Sequence, residues 1–205
     1  IISKINLFLK KITSKRQSEQ IIFPESKLAH KYLDGLIGIE IGGSAHNSFG
    51  LNTINVDKDK SMSTVFKLEE ERCCGKKMPV DVEAMGDDLP FDDKSYDFVI
   101  SSHVIEHFFD PINALKEWQR VARKYIMLIV PHRDRTFDKD RPLTPIQELI
   151  ARNEGKIPYN DSAEHHSVWD TASFLKLCKY LNYNVVHYLD VDDKVGNGFC
   201  IVIKL

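Results

Sequence analysis

Short apolar runs recur along the chain, and several of the segments between them are amphipathic at helical spacing. "IGIEI" (37–41), "TINVD" (53–57), "MPVDVEA" (78–84), "YDFVISS" (96–102) and "YIMLIVP" (125–131) read as strands, each a short apolar run bounded by turn formers. "ESKLAHKYLDGL" (25–36), "PINALKEWQRVAR" (111–123) and "DTASFLKLCKYLN" (170–182) read as helices. Asp110 and Asp170 (or Thr171) are placed as N-caps, Pro111 at a first helical position and Gly35 as a stop. "YNVVHYLDV" (183–191) and "FCIVIKL" (199–205) form a closing pair around Gly196-Asn197-Gly198. Strands alternating with helices imply βαβ units and a parallel sheet covered on both faces. The closing pair is joined by about seven residues, too few for a parallel crossover, so it is antiparallel. The predicted fold is a doubly wound α/β domain with a mostly parallel seven-stranded sheet and an antiparallel strand near one edge.

A single domain is expected over 1–205. The stretch 132–169 carries no strand signal and is expected as a long irregular insertion on the substrate side, since such sheets bind ligands at the carboxyl ends of their strands. "IISKINLFLKKITSKRQ" (1–17) predicts a basic amphipathic helix inside an N-terminal helical segment 1–34, which caps the sheet or docks on a membrane surface or partner.

Composition adds bounds. A chain of 205 residues with 42% apolar content is an ordinary globular domain, and a net charge of −2 gives no pull toward nucleic acid or anionic membrane. No apolar stretch approaches the ~20 residues needed to span a bilayer. Cys73, Cys74, Cys178 and Cys200 form no C-x-x-C pair, so free thiols in a reducing, cytoplasmic setting are expected.

The chemistry concentrates in "GIEIGGSAHNSFGLNTINVDKD" (38–59). Gly42 and Gly43 follow the first strand and let a ligand approach the backbone, where exposed amides can meet it. Asp57 closes the second strand, 17 positions after Glu40, where an acid accepts hydrogen bonds from ribose hydroxyls. A nucleoside-containing ligand follows. The dinucleotide pattern G-x-G-x-x-G fails, because the positions run Gly42, Ser44, Ala45, Asn47. An acid at position 40, just before the glycines, suits a ligand that brings an ammonium group there.

These features, with the ordered block "DDLPFDDKSYDFVISSHVIEHFFDP" (87–111) and the helix containing "EWQRV", resemble the class I S-adenosylmethionine-dependent methyltransferases of the type 11 group, over about 37–131. The resemblance is to small-molecule enzymes and to those of polysaccharide and glycan clusters. It implies a Rossmann-like methyltransferase fold and S-adenosyl-L-methionine as cofactor. Glu40, Gly42, Gly43 and Ser44 are then expected at its methionine end, Asp57 at the ribose, and Asp81, Met85 or Gly86 at the adenine. Ser102, at the end of the fourth strand, joins the expected cofactor set. The chain departs from the group at Ser44 and His46, which replace common glycines, and at "AMGDD", which replaces an acid-alanine pair.

Five of the eight histidines sit near the expected site. In a helical reading, His103, Glu106 and His107 share one face at i, i+3 and i+4. Downstream, "DSAEHHSVWD" adds Glu164, His165 and His166. The pattern is similar to magnesium-assisted O-methyltransferases with an E-x-x-E-H motif, except that His103 replaces the first glutamate, which points to a softer ion or to none. Three roles are open: His103, Glu106, His107 and His165 as divalent-metal ligands; His103, Glu106, His107 and His166 as catalytic groups, one of them a general base; or packing alone. The mixed charges of "VPHRDRTFDKDRPLTP" (130–145), with Phe137, Tyr159 and Trp169 nearby, suit a sugar. The expected function is methyl transfer to an oxygen, less readily a nitrogen, of a polar small molecule such as a sugar or glycan precursor. The rival expectations are a nucleotide-sugar or nicotinamide enzyme and an inactive cofactor-binding subunit that serves a partner protein.

Overall fold

The computed structural model describes residues 23–45, 47–160 and 165–205. The expected helix at 1–17, His46 and Glu164 lie outside the described residues. The elements are α1 (Lys27–Leu33), β1 (Gly38–Ile41), β2 (Thr53–Asp57), α2 (Val65–Cys74), β3 (Val82–Glu83), β4 (Tyr96–Ser102), α3 (Pro111–Val121), β5 (Ala122–Pro131), α4 (Ile146–Asn153), α5 (Thr171–Tyr180), β6 (Asn184–Leu189) and β7 (Gly198–Lys204). One seven-stranded sheet runs in the order β3-β2-β1-β4-β5-β7-β6. β1 pairs in parallel with β2 and β4, β2 with β3, and β4 with β5, while β7 runs antiparallel to both β5 and β6. The predicted doubly wound, mostly parallel sheet is therefore present.

Period-two alternation sorts the core into two layers. Val99, Ile126, Leu128, Val130, Phe199 and Ile201 face one side, where Ile112, Leu115 and Trp118 of α3 and Phe174 and Leu177 of α5 cover them. Phe98, Ile100, Met127, Ile129 and Val202 face the other, where Leu28, Ala29 and Leu33 of α1 and the loop residue Phe49 lie. Helix α3 starts as its sequence implies, with the Asp110 carboxylate accepting from the amides of Ile112 and Asn113 and Pro111 at the first position. It ends two residues earlier than expected, because Ala122 already pairs with Tyr96 and opens β5 with no intervening loop.

Three expectations need correction. The third strand was expected over 78–84, yet only Val82–Glu83 pairs with β2. Pro79 has no amide to donate; at Asp81 one backbone bond remains, its amide to the Asn55 carbonyl at 2.9 Å, while its carboxylate takes the Asn55 amide at 2.8 Å in place of a ladder carbonyl. Helix α2, capped by Thr64 and by Gly75 at φ 74°, was not anticipated. Its pattern is inverted: Val65, Phe66 and Leu68 are exposed while Lys67 and Glu70 are buried, so hydrophobic periodicity hides it.

The segment 132–169 is also not irregular throughout. It holds a 3₁₀ turn, Arg133–Arg135, and helix α4. Its two ends meet: the Arg133 amide donates to the Trp169 carbonyl at 2.8 Å, and the Thr144 amide to the Val168 carbonyl at 2.9 Å. The segment is a closed excursion that leaves and rejoins the sheet at the carboxyl end of β5.

Buried Trp118 on α3 donates from its indole nitrogen to the Gly86 carbonyl at 2.7 Å, which ties α3 to the loop after β3. Trp118→Phe keeps most of the ring packing but leaves that carbonyl without its partner. The substitution is expected to lower stability by about 1–3 kcal/mol, read from denaturant midpoints.

Candidate active site

The turn after β1 is held from beneath. Gly42 adopts φ +66°, and a Cβ there would come within 2.7 Å of Val104. The Gly42 amide donates to Val56, the Gly43 amide to the Asn55 side chain at 2.9 Å, and the Ala45 amide to the Glu70 carboxylate. Glu70 also accepts from Met78 at 2.5 Å and pairs with Lys67 at 2.9 Å, and Lys67 reaches the Met78 carbonyl at 2.7 Å. The amides of Gly42, Gly43 and Ala45 are thus taken by Val56, Asn55 and Glu70 rather than left open to a ligand. What the sequence lacks in glycine at positions 44 and 46 is offset by side chains that fix the turn.

Glu40 lies under this turn, 3% exposed, with its carboxylate accepting from the Thr53 hydroxyl at 3.3 Å. Burial pushes its pKa up to about 7, opposed by the Thr53 bond and by the ammonium groups of Lys194 and Lys67. Asp57 is half-buried at the end of β2; burial raises its pKa, against the amides of Lys58 and Asp59. Met85 is exposed and bridges to Asp88. Gly86 is packed so closely that a Cβ would meet Phe108 at 2.8 Å and Ile41 at 2.9 Å. Ser102 is buried, its hydroxyl 3.1 Å from His103 Nδ1.

The expected helical face of His103, Glu106 and His107 does not form. His103 stands at φ 57°, and a 3₁₀ turn over Ile105–His107 follows it. The His103 ring turns toward the β6–β7 connection, with Nε2 2.9 Å from Asn197 Oδ1. A different set converges. Ligand atoms of Glu106, His107 and His165 lie within 4.8 Å of one another. Glu106 Oε1 is 3.8 Å from His107 Nε2 and 3.9 Å from His165 Nε2, and Glu106 Oε2, fully buried, has no hydrogen-bond partner. Burial pushes the Glu106 pKa up to about 7, and the charge of His165 opposes that shift. The His107 side chain keeps 44% exposure at the rim of the cluster; loss of solvent around its ring lowers its pKa first, and the charges of His165 and Lys58 lower it further.

The excursion delivers His165. The amides of His166 and Ser167 both donate to the Glu106 carbonyl, at 2.8 and 3.3 Å. Arg152 of α4 reaches the Phe109 carbonyl and the Ser167 hydroxyl, and Asn153 holds Asp110 at 2.8 Å. Asp138 accepts from His165 Nδ1 at 2.6 Å and from Arg141 at 2.7 Å. Although burial pushes Asp138 up, these two partners hold its carboxyl below the usual range. Asp138 was not among the candidate residues, and only its place in the fold reveals it. Outside the cluster lies a cleft of about 670 Å³ lined by Phe109, Tyr159, Arg141, Glu148, His165 and His166, among others. Phe109 stacks edge-on with Tyr159 and with His166.

The mostly parallel seven-stranded sheet with its antiparallel β7 is the Rossmann-like methyltransferase fold expected from the sequence. Comparison with known proteins agrees. The family model described as a methyltransferase domain matches residues 39–130. Among solved structures, an S-adenosylmethionine-dependent methyltransferase of Thermotoga maritima superposes with a TM-score of 0.53 at 19% identity, over 84% of this chain and 83% of that one. Another from Methanosarcina mazei gives 0.51 at 17% identity, over 87% and 96%. No curated protein matches the chain. Residues 39–130 thus match a methyltransferase domain, and the fold is one shared with solved S-adenosylmethionine-dependent methyltransferases. No helix among the described residues is long and apolar enough to cross a membrane.

Glu40 yields a pH prediction. Its folded pKa of about 7 lies above the 4.5 of the unfolded chain, so the folded state holds the proton more tightly. The stability it carries is complete below pH 4.5 and is lost as pH rises through 7. Glu40→Gln does not titrate. Without cofactor, its stability relative to the parent protein is expected to rise between about pH 5 and 8, by up to ~3 kcal/mol; a pH-independent difference in denaturant midpoints would contradict this.

Proposed function

We propose that the enzyme methylates a hydroxyl oxygen of a polar small molecule, such as a sugar or glycan precursor, bound in the cleft beside Glu106, His107 and His165. The observation that carries this reading is that cluster: a buried carboxylate and two imidazoles, one of them (His165) oriented by Asp138, at the edge of a polar, aromatic-walled cleft. Phe109 and Tyr159 offer faces for a sugar ring, and Arg141 and Glu148 offer donors and acceptors to its hydroxyls.

On the cofactor side, Asp57 takes the ribose hydroxyls, the Gly42–Ser44 turn and Glu40 take the methionine end, and Met85 and Gly86 take the adenine. The residues fit: a half-buried acid with its oxygens near the end of β2, and a buried carboxylate whose burial cost a cationic group would relieve. The cofactor supplies a methyl group on a sulfonium, which the acceptor oxygen takes in line as the carbon–sulfur bond breaks. The chain's own residues do the rest. The cleft aligns the hydroxyl with the methyl, the excursion 132–169 excludes water, and the cluster of Glu106, His107 and His165 promotes release of the hydroxyl proton.

Two measurements test the reading. Asp57→Ala is expected to weaken S-adenosylmethionine binding by about 1–3 kcal/mol in calorimetry; an unchanged affinity would remove Asp57 from the site. With a labelled-methyl cofactor and a panel of hydroxylated and amino acceptors, the label is expected on oxygen. Label found on nitrogen alone would overturn the acceptor assignment and leave the cofactor assignment standing.

A further inference from the structure

We propose that Glu106, His107 and His165 form a binding site for one divalent first-row transition ion of the zinc type, with an open coordination position toward the cleft. The site itself stands on geometry. Its role in activating the acceptor hydroxyl rests on the proposed oxygen methylation.

Four observations converge. First, three ligand atoms of the right chemistry face one point, all within 4.8 Å of one another. The two imidazole Nε2 atoms stand 3.8 and 3.9 Å from the carboxylate, too far for hydrogen bonds. Bonds of about 2.0–2.2 Å to one ion place such ligands roughly 3–3.5 Å apart, so the carboxylate–imidazole separations close by about half an ångström and the imidazole–imidazole separation by about 1.5 Å. Second, Glu106 Oε2 is fully buried without a partner. A buried polar atom left unpaired is costly; the imidazoles face the other oxygen, Oε1, and an ion held by both oxygens of the carboxylate satisfies Oε2 as well. Third, Asp138 can only accept while ionised, so His165 donates from Nδ1 and presents the Nε2 lone pair to Glu106. A carboxylate behind an imidazole is the usual support of a metal-ligating histidine, and Arg141 in turn holds Asp138. Fourth, the rings are fixed. His165 packs against His107 at 4.8 Å and Phe137 at 4.7 Å, and the backbone that follows His165 is tied to the Glu106 carbonyl.

The donor set decides the ion. Two imidazoles and one carboxylate favour zinc, cobalt, iron or manganese over magnesium or calcium, which take oxygen shells. Three protein ligands leave at least one position free, as in catalytic rather than structural sites. His103, the remaining candidate ligand of the sequence, is absent from the converging set.

The test uses the full chain, stripped with a chelator and dialysed. Titration with zinc by calorimetry, and with cobalt by visible absorption, is expected to show one saturable site of micromolar affinity or tighter. Glu106→Gln and His165→Ala are expected to weaken zinc at least about a hundredfold. Asp138→Asn is expected to weaken it about 10–100-fold, with cobalt absorption altered, while His103→Ala leaves affinity unchanged. Absence of saturable binding by a protein that still binds S-adenosylmethionine would overturn the site. So would affinity that survives both Glu106→Gln and His165→Ala. A bound ion whose removal leaves methyl transfer unchanged would overturn its role in the reaction, without touching the cofactor assignment.

Discussion

The amides of His166 and Ser167 share one acceptor, the carbonyl of Glu106. The rest of the site depends on that junction. Glu106 belongs to the tight turn that follows β4, so its position comes from the central sheet. His166 and Ser167 belong to the far end of a long excursion that starts after β5. Without the junction the excursion would keep its anchors at β5 and through α4, but the backbone beside His165 would lose its direct bonds to Glu106. The additional ties from Arg152 to Phe109 and from Asn153 to Asp110 fall on the same short stretch. Helix α4 thus acts as a strut: it carries two polar side chains whose partners lie on the 106–110 turn, and it holds one wall of the cleft.

The cofactor end follows a different logic. Here a turn that is poor in glycine is shaped by charge. Lys67 and Glu70 are almost fully buried in a helix that exposes Val65, Phe66 and Leu68. Burying an ion pair costs more than burying apolar groups unless hydrogen bonds satisfy it. Glu70 and Lys67 meet that condition through backbone groups of residues 45 and 78. The buried pair sets the path of the turn after β1 and brings residue 78 alongside it, where a longer β3 ladder would otherwise do so.

This division explains what the sequence discloses. Strands β1, β2, β4, β5 and β7 are legible because a sheet covered on both faces needs continuous apolar runs, and "YDFVISS" and "YIMLIVP" are such runs. The caps of α3 and α5 are legible because a carboxylate before a helix has one evident use. Helix α2 is hidden because its inward face is charged. The cluster is only half legible. Glu106 and His107 stand together in "VIEH" and His165 in "AEHH", so the residue types are visible. Which of them meet depends on φ at His103 and on the path of the excursion, neither of which leaves a periodic trace. Asp138 sits in a run of alternating charges that reads as a solvated loop, and only its bond to His165 separates it from its neighbours.

Glu40 and Glu106 are the two buried carboxylates held up to about 7, and they occupy adjoining strands: Glu40 lies in β1, and Glu106 follows β4, which pairs with β1. Replacing a buried charge by an apolar group is often neutral or stabilising, so stability alone gives no reason for either. Their surroundings differ in a telling way. Glu40 has ammonium groups of Lys194 and Lys67 near enough to lower its pKa, which suits a carboxylate that helps seat a cationic group without holding it permanently. Around Glu106 the charge that opposes burial is that of His165, and one carboxylate oxygen has no hydrogen-bond partner. The convergence of two imidazoles on the other oxygen, which Glu40 lacks, separates the proposed ion site at Glu106 from the proposed methionine-end site at Glu40.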